Sequence, residues 1–99
     1  MMILEHAILE VEPSQTHEFE LAFAEAITFL RRSPGCLHAQ LEKCQEFESR
    51  YQLLVQWRDL EAHTVEFRES DLYAQFRDLL MKYYIEKPAV THYSLVATS

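Results

Sequence analysis

Phe19, Phe23, Ile27 and Leu30 recur at spacings of four, four and three, drawing one apolar stripe along a helix that sits between stretches rich in β-formers. A second helical stripe, Leu72, Phe76, Leu79, Leu80 and Tyr83, follows two further β-rich stretches. This alternation of periods constrains the fold more than any other feature. Residues 3 to 11 (ILEHAILEV) read as a strand, which Pro13-Ser14 stops, with Ser14 as the helix N-cap. The first helix then runs to about Arg32 and ends at Ser33-Pro34-Gly35. Strands are expected over about Leu37 to Glu46 and Arg50 to Arg58, paired as a hairpin through the polar turn at Phe47-Glu48-Ser49. Asp59 caps a short helix through about Glu69, Ser70-Asp71 starts another, and Pro88 turns the chain into a last strand from Val90 to Ala97. The order β-α-β-β-α-β gives a ferredoxin-like α+β fold: one domain over residues 1–99, a four-stranded antiparallel sheet, and both helices on one face because such crossovers are right-handed.

The uncovered sheet face bears on assembly. One side of the hairpin reads Leu37, Ala39, Leu41 with Tyr51, Leu53, Val55 and Trp57, apolar enough to lie beneath the helices. The other reads His38, Gln40, Glu42 with Gln52, Leu54 and Gln56, polar but not the charged surface of a fully solvated sheet. A 99-residue chain also buries a smaller share of its surface than a larger domain does, so a two-fold partner on that face is expected.

The net charge of −7, with no Lys/Arg cluster, argues against nucleic acid and anionic membranes and in favour of a small-molecule ligand. The acidic N-terminal stretch and the lack of a long apolar run point to a cytoplasmic protein, and Cys36 and Cys44 read as reduced structural cysteines. No metal-ligating His spacing, GxGxxG or phosphate loop is encoded, and a single Gly disfavours a nucleotide cradle, so no metal or cofactor is expected.

His63 is the leading candidate for chemistry. Leu60, His63 and Phe67 fall at i, i+3 and i+7 on the inward stripe of the short helix, where an imidazole held neutral could accept a substrate proton. Trp57, ending the third strand, offers a flat platform for an aromatic ring; the plain alternative for both residues is a role in the core. Arg77, on a rim stripe with Tyr73, Leu80 and Tyr84, could meet a substrate oxygen, although a solvated helix Arg is the simpler reading. In the first strand either Glu5 or His6 must turn toward a covered face, and His6 is taken as a second polar group of the pocket. His92 and Tyr93 point to opposite faces.

The segments YQLLVQWRDLEAHTVEFRESDLYAQF and EKPAVTHYSLVA, with the SPGC turn and the opening strand, resemble the antibiotic biosynthesis monooxygenase (ABM) family of small dimeric α+β barrels. The resemblance implies a homodimer and, in quinone-forming members, oxidation of polycyclic phenols by O₂ without a cofactor. In those members a Trp matching Trp57 works with an Asn four residues earlier, where this chain has Leu53; their Tyr falls at His63 and their Arg at Arg77. Haem-degrading relatives carry an axial His where this chain has Phe76, which argues against haem cleavage. The expected function is therefore a cofactor-independent monooxygenase acting on a small aromatic or quinol-like substrate. Its catalytic residues are expected to be His63 and Trp57, with His6, Phe67, Phe76 and Arg77 around the substrate. The alternatives are a non-oxidative isomerase or lyase on a small oxygenated metabolite, and a non-catalytic dimeric ligand-binding module.

Overall fold

A computed structural model describes residues 1–99. Strands β1 (Ile3–Glu10), β2 (Cys36–Lys43), β3 (Arg50–Trp57) and β4 (Ala89–Tyr93) form one sheet in the order β2-β3-β1-β4, every neighbouring pair antiparallel. Helices α1 (Thr16–Arg31) and α2 (Asp71–Leu80) make the two crossovers. This is the ferredoxin-like α+β arrangement that the alternating periods dictate. No helix is long and apolar enough to cross a membrane.

The core lies between the helices and one sheet face. Phe19, Phe23, Ala26 and Leu30 of α1 are buried against Ala7, Leu9, Leu53, Val55 and Trp57. Along β1 the inward alternation is Glu5, Ala7, Leu9, while His6 and Ile8 face the opposite side. That open face carries a ladder of side-chain hydrogen bonds, from His6 to Gln52 (2.9 Å), Gln52 to Glu42 (2.7 Å) and Gln40 to Glu42 (2.8 Å).

Several boundaries differ from the sequence reading, each for a local reason. A short 3-10 turn, Pro13–Gln15, precedes α1, which begins at Thr16; the Ser14 hydroxyl meets Glu12 and caps no helix. A register shift between Cys36 and His38 bulges Leu37 out of the ladder, leaving it 56% exposed, so Cys36 takes the place opposite Trp57. β4 is shorter than expected, ending at Tyr93, which pairs with Leu4 one residue inside the start of β1.

The short helix before α2 differs in kind. Residues Ala62–Phe67 form a π-helix, in which the Arg68 N–H donates to the His63 carbonyl at 3.1 Å. Asp59 does cap its entry, accepting from the Ala62 N–H at 2.9 Å. The wider turn brings Ala62, His63 and Phe67 inward together and leaves Leu60 46% exposed, outside the stripe predicted for it. Gly35 permits this packing: a Cβ there would overlap the Ala62 Cβ, and the Gly35 carbonyl accepts from the Arg58 N–H at 2.8 Å.

Candidate active site

Between α2 and the covered sheet face lies a cavity of about 390 Å³. Ala7, Leu9, Leu53 and Val90 of the sheet form its floor, and Phe67, Tyr73 and Phe76 wall it with aromatic rings. The rings support one another edge-on: Phe67 meets Tyr73 at 5.5 Å and Phe76 at 5.9 Å between centroids, both T-shaped. At one end the lining turns polar, with Glu5 and His63; Arg68, Arg77 and Lys87 also line it, from exposed positions.

The polar end is a chain of close polar contacts drawn from four elements. Glu5, on the inward alternation of β1, is 4% exposed. Its Oε1 accepts the indole N–H of Trp57 at 2.9 Å and stands 3.3 Å from His63 Nε2. His63 Nδ1 lies 2.7 Å from Nε2 of His92, and His92 is the residue directly across from Glu5 in the β1–β4 ladder. Burial pushes the His63 pKa down from 6.5 to about 3, with the positive charge of Arg68 and then His92 adding to the shift. His63 is thus a neutral imidazole, and its approach to Glu5 is a close polar contact rather than an ion pair. Burial likewise raises the Glu5 carboxyl above its usual range, against the opposing pull of the Trp57 hydrogen bond and of Arg68. His92 is pushed down by burial and by Arg68.

Of the residues singled out in the sequence, His63, Phe67, Phe76 and Arg77 meet at this cavity. Trp57 does not line it: the indole is fully buried, one face stacked on the His63 ring at 5.0 Å and 13°. The platform expected at Trp57 is therefore occupied by His63, and Trp57 reaches the cavity only through Glu5 and His63. His6 is on the other side of the sheet, bonded to Gln52 and edge-on to Tyr93 at 6.2 Å, so it is not part of this pocket; strand alternation sends Glu5 inward instead. Arg77 is at the rim, bonded to Asp78 at 3.1 Å and over the Tyr73 ring at 5.7 Å.

Sequence reasoning missed Glu5, His92 and Arg68 as members of the site. Glu5 carried a signal, a carboxylate in phase with Ile3, Ala7, Leu9 and Val11 on an otherwise apolar face. His92 could be assigned only once its pairing with Glu5 was known. No cluster of three His, Cys, Asp or Glu side chains is disposed to hold a metal ion.

A four-stranded antiparallel sheet backed by two helices, with an aromatic-walled cavity between the layers, defines a small ferredoxin-like α+β domain. The chain belongs to the antibiotic biosynthesis monooxygenase family, whose model matches residues 2–79. It is 37% identical over 92 residues to the uncharacterised protein YczJ of Bacillus subtilis, covering 93% of this chain and 97% of that one. Its fold is similar to that of a candidate antibiotic biosynthesis monooxygenase from Bordetella bronchiseptica, with TM-score 0.92 and 33% identity over 97% of this chain and 98% of that chain. The same fold occurs in SnoaB, a cofactor-independent oxygenase from Streptomyces nogalater, with TM-score 0.78 and 18% identity over 98% of this chain and 95% of that chain.

Proposed function

We propose that this protein is a cofactor-independent monooxygenase that oxidises a small aromatic or quinol-like substrate with O₂. The cavity carries the reading. Its volume of about 390 Å³ lies in the range of roughly 300–1,000 Å³ usual for small-molecule sites, and its walls are aromatic except at one buried polar end. A flat ring fits against the wall formed by Phe67, Tyr73 and Phe76, with its hydroxyl toward His63 and Glu5. Family membership and the oxygenase name of SnoaB support the same chemistry.

In this reaction a phenolic O–H loses its proton at the polar end, and the electron-rich anion passes electrons to O₂. Converting a phenol to a quinone supplies the four electrons that O₂ requires: one oxygen atom enters the ring and the other leaves as water. The protein needs to orient the ring, exclude bulk water and favour the anion. Arg68 and Arg77 at the rim favour the anion by charge, and Trp57 contributes by holding Glu5 and His63 in place. We further propose that two copies associate through the open sheet face, where Ile8 and Tyr93 are 40% and 52% exposed.

The test is oxygen uptake with quinols of one to three rings. The reading expects one O₂ consumed per oxygenated quinone formed, one oxygen atom of labelled O₂ in that product, no hydrogen peroxide, and no turnover under argon. Turnover without O₂, with solvent deuterium appearing in the product, would assign an isomerase or lyase instead; tight binding unaffected by His63→Ala, with no turnover, would leave a binding module.

A further inference from the structure

A substrate hydroxyl in this cavity must give up a proton, and the only carboxyl group buried in the chain stands at that end. We propose that Glu5 takes the substrate proton and that His63 and His92 form the path by which Glu5 exchanges it with solvent. The inference rests on the oxygenase reading of the same cavity and assigns its base.

The geometry sets the roles. Glu5 Oε1 is engaged by Trp57 Nε1 at 2.9 Å and by His63 Nε2 at 3.3 Å, while Oε2 takes part in no hydrogen bond or ion pair although Glu5 lines the cavity. Oε2 is thus the oxygen free to meet a ligand. His63 is poorly placed to do so itself: one ring nitrogen faces Glu5, the other faces His92, and its ring plane is stacked on Trp57. The contact of 3.3 Å is long for a hydrogen bond, and such contacts tighten when a ligand fills the site.

With Glu5 ionised, His63 donates from Nε2 to Oε1 and accepts at Nδ1 from His92 Nε2–H. If His92 takes a proton from solvent at its Nδ1, its Nε2 proton moves to His63 Nδ1 and the His63 Nε2 proton moves to Glu5. That shift leaves Glu5 protonated and both imidazoles neutral. From that state Oε2 takes the substrate proton as Oε1 returns its own to His63 Nε2, His63 Nδ1–H passes to His92 Nε2, and the His92 Nδ1 proton leaves to solvent, so one proton is released for each one taken. His63 need never carry a charge, which suits a ring that burial keeps neutral.

The charged and titratable groups around this chain are few. Trp57 faces Glu5 from β3, Cys36 lies near it at the start of β2, and His92 faces it from β4. Arg68, after the π-helix, bears on Glu5, His63 and His92 alike, while α2 contributes Tyr73 and Arg77 to the cavity lining, the segment before β4 contributes Tyr84 and Lys87, and α1 contributes only Leu30. Arg68 opposes protonation along the whole chain, so it favours release of the proton outward.

Anaerobic stopped-flow mixing with a dihydroxynaphthalene, read by its phenolate absorbance, tests the assignment without depending on O₂ chemistry. Wild-type protein is expected to convert the bound phenol to phenolate at neutral pH. Glu5→Gln, which keeps an oxygen for the Trp57 N–H, should bind the ligand by calorimetry yet lower the bound phenolate fraction about tenfold or more. His92→Gln, which keeps a partner for His63 Nδ1, should preserve the final phenolate amplitude but slow its appearance about tenfold. Phenolate formation by Glu5→Gln equal to wild type, or an unchanged rate in folded His92→Gln, overturns the proposal. The two readings fail separately: phenolate formation without oxygen uptake removes the oxygenase and leaves the proton path, while oxygen uptake insensitive to Glu5→Gln does the reverse.

Discussion

Acidification should destabilise this fold by an amount traceable to one residue. His63 titrates near 6.5 when unfolded and is held down to about 3 when folded, so between those values the unfolded chain binds a proton that the native chain refuses. A depressed native pKa means stability present at neutral pH is lost as pH falls. Between pH 7 and pH 5 the unfolded-state term alone amounts to about 2 kcal/mol, and solvent reaching the cavity reduces it to about 1–2 kcal/mol. For a domain of this size that is a fall in Tm of roughly 4–15 °C. The raised Glu5 carboxyl acts with the opposite sign, gaining stability as pH drops through its native value, so the measurement must be differential. Urea unfolding of wild type and His63→Gln at both pH values isolates the term, because Glu5 is present in each. Wild type should lose about 1–2 kcal/mol more than the variant over that interval. Parallel losses would show that the native imidazole charges freely, and the description of a neutral, buried His63 would fail.

Other substitutions probe the supporting structure. Trp57→Phe removes the N–H that Glu5 Oε1 accepts and should cost about 1.5–3 kcal/mol in urea unfolding, more at neutral pH than near pH 4, where a protonated Glu5 needs the donor less. Gly35→Ala forces its Cβ into Ala62 and should cost about 1–3 kcal/mol, with most of the loss recovered in the double variant Gly35→Ala/Ala62→Gly; no recovery would mean the turn itself, not the contact, is at fault. Arg68→Gln should weaken calorimetric binding of hydroxynaphthoate by about tenfold and leave neutral naphthalene binding unchanged, since Arg68 is a cation at the cavity rim with no carboxylate partner.

How far the sequence could be read follows from which information is local. The stripes Phe19, Phe23, Leu30 and Phe76, Leu80 declare their helices because helical periodicity needs no knowledge of the partner. Strand alternation placed Leu53, Val55 and Trp57 correctly beneath the helices. It misplaced Leu37, because a bulge shifts register and leaves no mark in composition. The site was half legible for the same reason. His63 and Phe67 share an inward face in either an α- or a π-helix, but the wider turn that adds Ala62 and excludes Leu60 depends on the close approach of Gly35. Glu5 and His92 are 87 positions apart and become partners only through β1–β4 pairing. Which of Glu5 and His6 turns inward depends on the register of β1 in the sheet, which sequence does not carry, and that register turns Glu5 inward.

The most direct test is a crystal structure of the protein with a bound dihydroxynaphthalene. The ring should lie in the cavity against Phe67, Tyr73 and Phe76 with one hydroxyl within hydrogen-bond distance of Glu5 Oε2, and the Glu5, His63 and His92 side chains should remain linked. A ligand seated elsewhere, such as the groove lined by Phe23, Ile27 and Leu41, or a hydroxyl turned away from Glu5, would contradict the account.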